Sequence, residues 1–221
     1  MTTWSYSSLK TFEQCPKKYF HLRVVKDVKD EGSEATIYGQ EVHKAAEDYI
    51  KLGTAVPEQF AYLRATLEVL NKIEGEKHCE LKMGLKLTDT DYEPCGFFDK
   101  EVWWRGIADL VIIQGDIAYS VDYKTSKSAK YADTKQLDIV AAALFVHFPQ
   151  LKKIKSALCF VVSNEFIKKD HYVEDRDKYF KTFDPLLDRL TGAEDSGVWN
   201  PISGPLCRYC PVVQCEHNSK R

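Results

Sequence analysis

Three residues stand where their types and spacing could support hydrolytic chemistry. Asp109 lies inside the otherwise apolar segment Gly106-Ile107-Ala108-Asp109-Leu110-Val111-Ile112-Ile113, and Asp122 and Lys124 lie in Val121-Asp122-Tyr123-Lys124. Residues two apart in a strand share a face, so Asp122 and Lys124 project together while Val121 and Tyr123 face the other way with Ile117 and Tyr119. An acid among apolar neighbours is costly unless it is paired or binds a cation. One reading makes Asp109 and Lys124 a half-buried ion pair, with Asp122 a surface charge. The other places two carboxylates on adjacent strands around a hard divalent ion such as Mg²⁺, with Lys124 positioning the attacking water. Phosphodiester hydrolysis uses these parts: a metal to polarise the phosphoryl oxygen, and a cation to offset charge developing in the transition state.

The cysteines form a second constellation. Cys207-x₂-Cys210-x₄-Cys215 puts three thiols in a loop stiffened by Pro205 and Pro211. A fourth ligand must come from Cys15, Cys79 or Cys159, or from His217 if the metal is zinc. Spacing leaves zinc and an iron–sulfur cluster open. The seven cysteines are an odd count, and in a reducing cytosol metal ligation is favoured over disulfides.

These residues need elements to hold them. Helical spacing runs from Ser8 to about Val25 with Ser7 or Ser8 as cap and Cys15 inside it. A second helix over Glu34–Leu52 carries Ile37, Val42, Ala45, Ala46, Tyr49 and Ile50 on one face and stops at Gly53. A third begins at Pro57 and reaches about Ile73. Alternation marks a strand over Cys79–Leu87. Val102–Ile113 and Ile117–Lys124 read as a hairpin turned by Gln114-Gly115-Asp116. Thr134–Phe148 is helical and is stopped by Pro149, Ile154–Val162 is a buried strand, and a polar helical region interrupted near Pro185 covers Asp175–Leu190. From Gly197 onward the pattern is that of a loop.

A chain of 221 residues with 44% hydrophobic residues can bury one sizeable core, and a single domain over 1–221 is expected. The net charge of −2 withholds the global signature of a basic nucleic-acid binder. DNA contacts must then be local, at Lys124/Lys127/Lys130, Lys152/Lys153/Lys155 or Lys168/Lys169. Neither a membrane span nor a signal peptide is expected, which makes the cytoplasm, or a host cytoplasm for a viral protein, the default compartment.

The motifs Gly106-x-x-Asp109 and Asp122-Tyr123-Lys124-Thr125 resemble the PD-(D/E)XK nuclease superfamily, and within it the RecB-like exonucleases, including the CRISPR-associated and AddB-type members. The resemblance implies an α/β fold, with a restriction-endonuclease-like core in which helices flank a mixed central sheet. It adds His43, from Gly39-Gln40-Glu41-Val42-His43, to a Mg²⁺ or Mn²⁺ site with Asp109, Asp122 and the carbonyl of Tyr123. Gln136 matches the group's glutamine after the lysine strand, whereas the tyrosine usual four residues later is Val140 here; Ala108 replaces the literal proline. The resemblance would also make Glu80, on the first expected strand, an auxiliary carboxylate near the site, as in some members; the alternative is an exposed strand glutamate. Iron–sulfur members carry one N-terminal and three C-terminal cysteines, which implies a 4Fe-4S cluster on Cys15, Cys207, Cys210 and Cys215, held by regions 1–30 and 195–221. The implied activity is DNA exonuclease action on single-stranded ends, with Trp103, Trp104, Tyr123 and Tyr131 as possible base-stacking residues. With no phosphate-binding Gly-x-x-x-x-Gly-Lys-Ser/Thr motif, unwinding would fall to a helicase or recombination partner. Alternatives are a prespacer-trimming nuclease of CRISPR adaptation, a non-catalytic DNA-end-binding module, and a zinc-stapled structural protein.

Overall fold

The computed structural model describes residues 2–30, 32–130 and 132–218; Tyr131, one of the expected stacking residues, lies outside them. The chain divides into two compact units, Ser33–Thr182 and a terminal unit of Met1–Gly32 with Phe183–Arg221.

The larger unit is built on a six-stranded mixed sheet with the order β2-β1-β3-β4-β5-β6. Its strands are β1 (Glu76–Leu87), β2 (Tyr92–Cys95), β3 (Trp104–Gln114), β4 (Ile117–Lys124), β5 (Lys153–Phe160) and β6 (Glu165–Tyr172). All neighbours pair antiparallel except β4 and β5, which run parallel. A parallel pair needs a crossover, and α5 (Lys135–His147) supplies it. Every residue from Leu137 to Val146 is buried, as expected of a helix that is apolar all round. The one acid within it, Asp138, is satisfied by His171 Nε2 at 2.8 Å and Lys169 Nζ at 2.6 Å, and Ser156 Oγ lies 3.1 Å from His171 Nδ1.

Helices α3 (Glu34–Leu52) and α4 (Arg64–Lys72) complete the core of this unit. Ser33 caps α3 through the Thr36 amide, and Gly53 ends it in the left-handed conformation that glycine adopts without strain. Val42, Ala45 and Ala46 form its buried stripe and pack with Leu63, Leu67, Leu110, Ile112, Val121 and Tyr123. Ile37, expected on that face, is exposed: it sits five positions before Val42, which places it about 140° round the helix. The expected helix from Pro57 is a 3₁₀ segment over Glu58–Leu63, itself interrupted by the non-helical backbone of Phe60, followed by α4.

In the terminal unit, the single opening helix expected to contain Cys15 is two helices, α1 (Tyr6–Gln14) and α2 (Pro16–Tyr19), followed by a wider helical turn over Phe20–Val25. Pro16 causes the break, because a residue before proline is driven to extended backbone, and Cys15 has φ −165° and ψ 108°. Ser5, rather than Ser7 or Ser8, is the cap. The polar region after β6 resolves into α6 (Arg176–Lys181) in the larger unit and α7 (Asp184–Ser196) in the terminal one, with Pro185 in the first turn of α7. Within the terminal unit Trp199 packs against Phe12, Tyr19 and Phe20. No described helix is long and apolar enough to cross a membrane.

Candidate active site

The β3–β4 ladder runs from Gln114↔Ile117 to Leu110↔Val121, and the same register carried one step further sets Asp109 opposite Asp122. At that step Asp109 Oδ2 accepts a hydrogen bond from the Tyr123 amide at 2.7 Å. A side chain therefore bonds where a backbone carbonyl would continue the ladder.

α3 brings His43 to this opening from the turn that carries Val42 and Ala46. Its Nδ1 is 3.3 Å from Asp109 Oδ2 and 4.0 Å from Glu80 Oε1, while its Nε2 lies 2.9 Å from the carbonyl oxygen of Tyr123. Burial favours the neutral ring, but Asp109, Asp122 and the Tyr123 carbonyl together outweigh it and the His43 pKa is raised. Glu80 belongs to the same cluster: ligand atoms of His43, Glu80 and Asp109 all lie within 4.8 Å of one another, the one such group among the described residues. Glu80 is opposite Asp109 in the β1–β3 register, between Cys79↔Leu110 and Leu81↔Ala108, and its φ is +51°. A left-handed non-glycine residue inside a strand costs about 1–3 kcal/mol and marks a position the surroundings enforce. Burial, then the charge of Asp109, raises the Glu80 pKa.

Asp122 is held differently. Its Oδ1 accepts from Gln136 Nε2 at 2.6 Å, its Oδ2 is 2.6 Å from Lys124 Nζ, and Lys124 Nζ in turn donates to Gln136 Oε1 at 2.8 Å. Burial, and then Asp109, pushes the Asp122 pKa up to about 6, against the opposing charge of Lys124. Asp122, Lys124 and Gln136 thus form one closed triangle beside the His43, Glu80 and Asp109 group. The surplus of negative charge and the oxygen-rich donor set fit a hard divalent cation.

A cavity of about 670 Å³ opens at this centre, lined by Thr36, Gln40, His43, Glu80, Lys124 and Thr125 among others. Gly39 also borders it, and a Cβ there would meet only Thr125 Oγ1 at an ordinary 3.6 Å. Protein packing therefore does not demand glycine at 39. Sequence reasoning passed over Thr36, Gln40 and Thr125 as cavity-lining groups, because lone polar residues carry no spacing signal.

The expected stacking residues Trp103, Trp104 and Tyr123 are core residues, with Trp104 only 1% exposed. Trp103 packs on Phe180 and Tyr92, and Tyr123 sits in the α3–α4 core. Val140, at the position of the group's tyrosine, is buried.

In the terminal unit, Cys15, Cys207, Cys210 and Cys215 line one cavity of about 260 Å³, together with His217. The Ile202 amide donates to Cys15 Sγ at 3.5 Å and the Gly204 amide to Cys207 Sγ at 3.3 Å. The remaining cysteines are elsewhere: Cys79 and Cys159 belong to the α3–α4 core and Cys95 to β2. Burial pushes the Cys159 thiol up to about 12, so it behaves as a small apolar residue.

Two carboxylates, an imidazole and a clamped acid–lysine pair meeting at the end of a hairpin are the parts that metal-assisted phosphodiester hydrolysis uses. The chain belongs to the PD-(D/E)XK nuclease superfamily, whose family model matches residues 3–215. It is similar to the crystal structure of SSO0001, at 16% identity and TM-score 0.42, covering 99% of this chain and 88% of that one. It is also similar to a protein from Eubacterium rectale named as a candidate exonuclease, at 14% identity and TM-score 0.49, covering 96% and 85%. No curated protein matches it.

Proposed function

We propose that this chain is a divalent-cation-dependent deoxyribonuclease of the RecB-like group, acting as an exonuclease on single-stranded DNA ends through one nuclease domain over 1–221. The observation that carries the reading is the meeting of His43, Glu80 and Asp109 beside a lysine whose position is fixed by Asp122 and Gln136. His43, Asp109 and Glu80 would hold Mg²⁺ or Mn²⁺, with Asp122 and the Tyr123 carbonyl as the further ligands the sequence suggests. When bound, the ion supplies Lewis-acid polarisation of the phosphoryl oxygen and a lowered water pKa.

The chain's own groups do the rest. Lys124, held through Gln136 rather than left to swing, orients the attacking water and offsets negative charge building on the phosphoryl oxygens. In the metal-free protein His43 Nε2 rests against the Tyr123 carbonyl at 2.9 Å, and the Tyr123 amide holds β4 to Asp109. The cavity at this centre offers hydroxyl and amide groups of Thr36, Gln40 and Thr125 to a nucleotide.

At the chain ends, Cys15, Cys207, Cys210 and Cys215 would hold a 4Fe-4S cluster whose contribution is a covalent staple between regions 1–30 and 195–221. Two amide-to-sulfur hydrogen bonds support thiolate ligands there. Zinc, with His217 available as a ligand, is the alternative at the same thiols.

The test is direct. Anaerobically purified protein is incubated with 5′- and 3′-labelled single- and double-stranded DNA, with and without Mn²⁺, beside Lys124→Ala. The reading expects metal-dependent shortening of single strands that Lys124→Ala abolishes. Equal degradation by the mutant, or the same products in excess chelator, would overturn it.

A further inference from the structure

On β3, Asp109, Ile107 and Arg105 share one face by alternation, and the β1 register sets Lys82 beside Ile107 and Gly84 beside Arg105. This row leaves the carboxylate cluster and reaches Arg105 about 13 Å further along the strand. It is open to solvent: Lys82 is exposed and Ile107 is 39% exposed.

The row ends at a turn that lies on the same face. A Cβ on Gly84 would come within 2.7 Å of the Gly96 carbonyl oxygen, so the backbone after β2 passes directly over the side of β1 that carries Lys82. The turn delivers Phe97 onto Arg105, with the guanidinium 5.5 Å from the ring centroid, and Phe98 packs edge-on against Phe97 at 5.0 Å. Phe98 is 78% exposed, the most exposed of the large apolar side chains described. Its burial is not needed by the fold.

The charges on this face include the exposed Glu93, opposite Lys86 in the β1–β2 register. Both acids of the turn, Asp99 and Glu101, are taken by Lys86 at 3.3 and 2.8 Å. Among the described residues no ion pair engages Lys82 or Arg105, and the nearest use of Lys82 is its electrostatic pull on Glu80.

We propose that this row is the track of the substrate strand: Phe98 and Phe97 stack bases, while Lys82 and Arg105 contact phosphates of the single strand whose scissile bond lies at Asp109. The inference rests on the nuclease reading above and extends it to the path of the DNA. Unpaired cations leading to an exposed aromatic ring suit a single strand, whose phosphates take the cations and whose bases stack on the ring. This also explains an exposed phenylalanine on a chain whose two tryptophans nearby are buried.

The test measures binding of a labelled single-stranded oligonucleotide in chelator, and kcat and KM with Mn²⁺, for the full chain and for Phe98→Ala, Arg105→Ala and Phe166→Ala. Phe166 is a partly exposed aromatic on β6, off the track. Phe98→Ala is expected to weaken single-strand binding roughly tenfold, through lost stacking, with KM raised and the melting temperature unchanged. Arg105→Ala is expected to lower the slope of log affinity against log salt by about 0.7, one phosphate contact on a single strand. Phe166→Ala is expected to match the parent protein. Should the parent bind and cut DNA while Phe98→Ala and Arg105→Ala bind as it does, the track is wrong although the nuclease stands. Should Phe166→Ala alone lose affinity, the strand runs along β6 and the track is again wrong. A parent protein that neither binds nor cuts would remove the nuclease reading itself.

Discussion

Gln136 Oε1 accepts a hydrogen bond from Lys124 Nζ at 2.8 Å, and the nitrogen of the same amide donates to Asp122. One neutral side chain thereby gives a second anchor to a lysine that already touches Asp122 at 2.6 Å. Without it Lys124 would pivot about that single contact and lose its aim. Gln136→Leu is therefore expected to reduce kcat about 100-fold, the scale of a misplacement near 1 Å, with KM changed much less. Steady-state kinetics on single-stranded DNA checks this; an equal fall in kcat and rise in KM would mean that Gln136 holds substrate instead.

Glu80 stands in a left-handed backbone conformation beside a like charge, so the fold and the site make opposite demands on it. Glu80→Gly is expected to stabilise the metal-free protein by about 1 kcal/mol, by relieving that backbone, while weakening Mn²⁺ binding. Thermal unfolding in chelator and a Mn²⁺ titration by calorimetry read the two effects separately. Loss of stability together with unchanged Mn²⁺ affinity would refute the assignment.

Asp122 carries a folded-state pKa of about 6, raised by burial and by Asp109 above the ordinary carboxylate value. A raised acid binds more protons folded than unfolded, so its contribution to stability is present at low pH. That contribution is lost as pH climbs from about 4 through 6. In chelator, the stability of the parent minus that of Asp122→Asn should fall across that window. Saturating Mn²⁺ should abolish the fall, because a bound cation favours the ionised carboxylate. A difference that is flat with pH in chelator would mean that Asp122 does not carry the strain.

At the other centre, Cys207→Ser is expected to remove iron from the anaerobically purified protein and to lower its melting temperature and its DNA affinity together. Elemental analysis and thermal unfolding decide this. Unchanged melting with iron retained would exclude Cys207 as a ligand, and a colourless parent containing zinc would replace the cluster by the His217 alternative.

Much of the fold is legible in the sequence. β4 falls on Ile117–Lys124 as read, because its apolar alternation is bounded by the Gly115 turn and by polar residues. α3 falls on Glu34–Leu52 because a serine cap and a terminal glycine mark both ends. What escaped has physical causes. β6, Glu165–Tyr172, is an edge strand whose charged residues look like loop, and β2 is a four-residue strand carrying a proline.

The site divides in the same way. Asp109, Asp122, Lys124, His43 and Gln136 come together because residue type and order along the chain point to them. The weight of Glu80 was hidden, since no composition or periodicity reveals a positive φ. Trp103 and Trp104 misled as stacking residues because proximity in sequence to a motif says nothing about which side of the sheet a ring occupies. Phe98 was overlooked for the converse reason, lying in a loop with no periodic signal.

β4 is an inner strand, bonded on one side to β3 and on the other to β5, whereas β2 and β6 form the rims. Opening fluctuations start at rims and reach doubly bonded strands last. Asp122 and Lys124 thus ride on an inner strand that opens late, whereas the Phe97–Phe98 turn hangs from a strand free to breathe. Relatives of this chain could exchange that turn and alter which strands they accept, while the chemistry they perform stayed where it was.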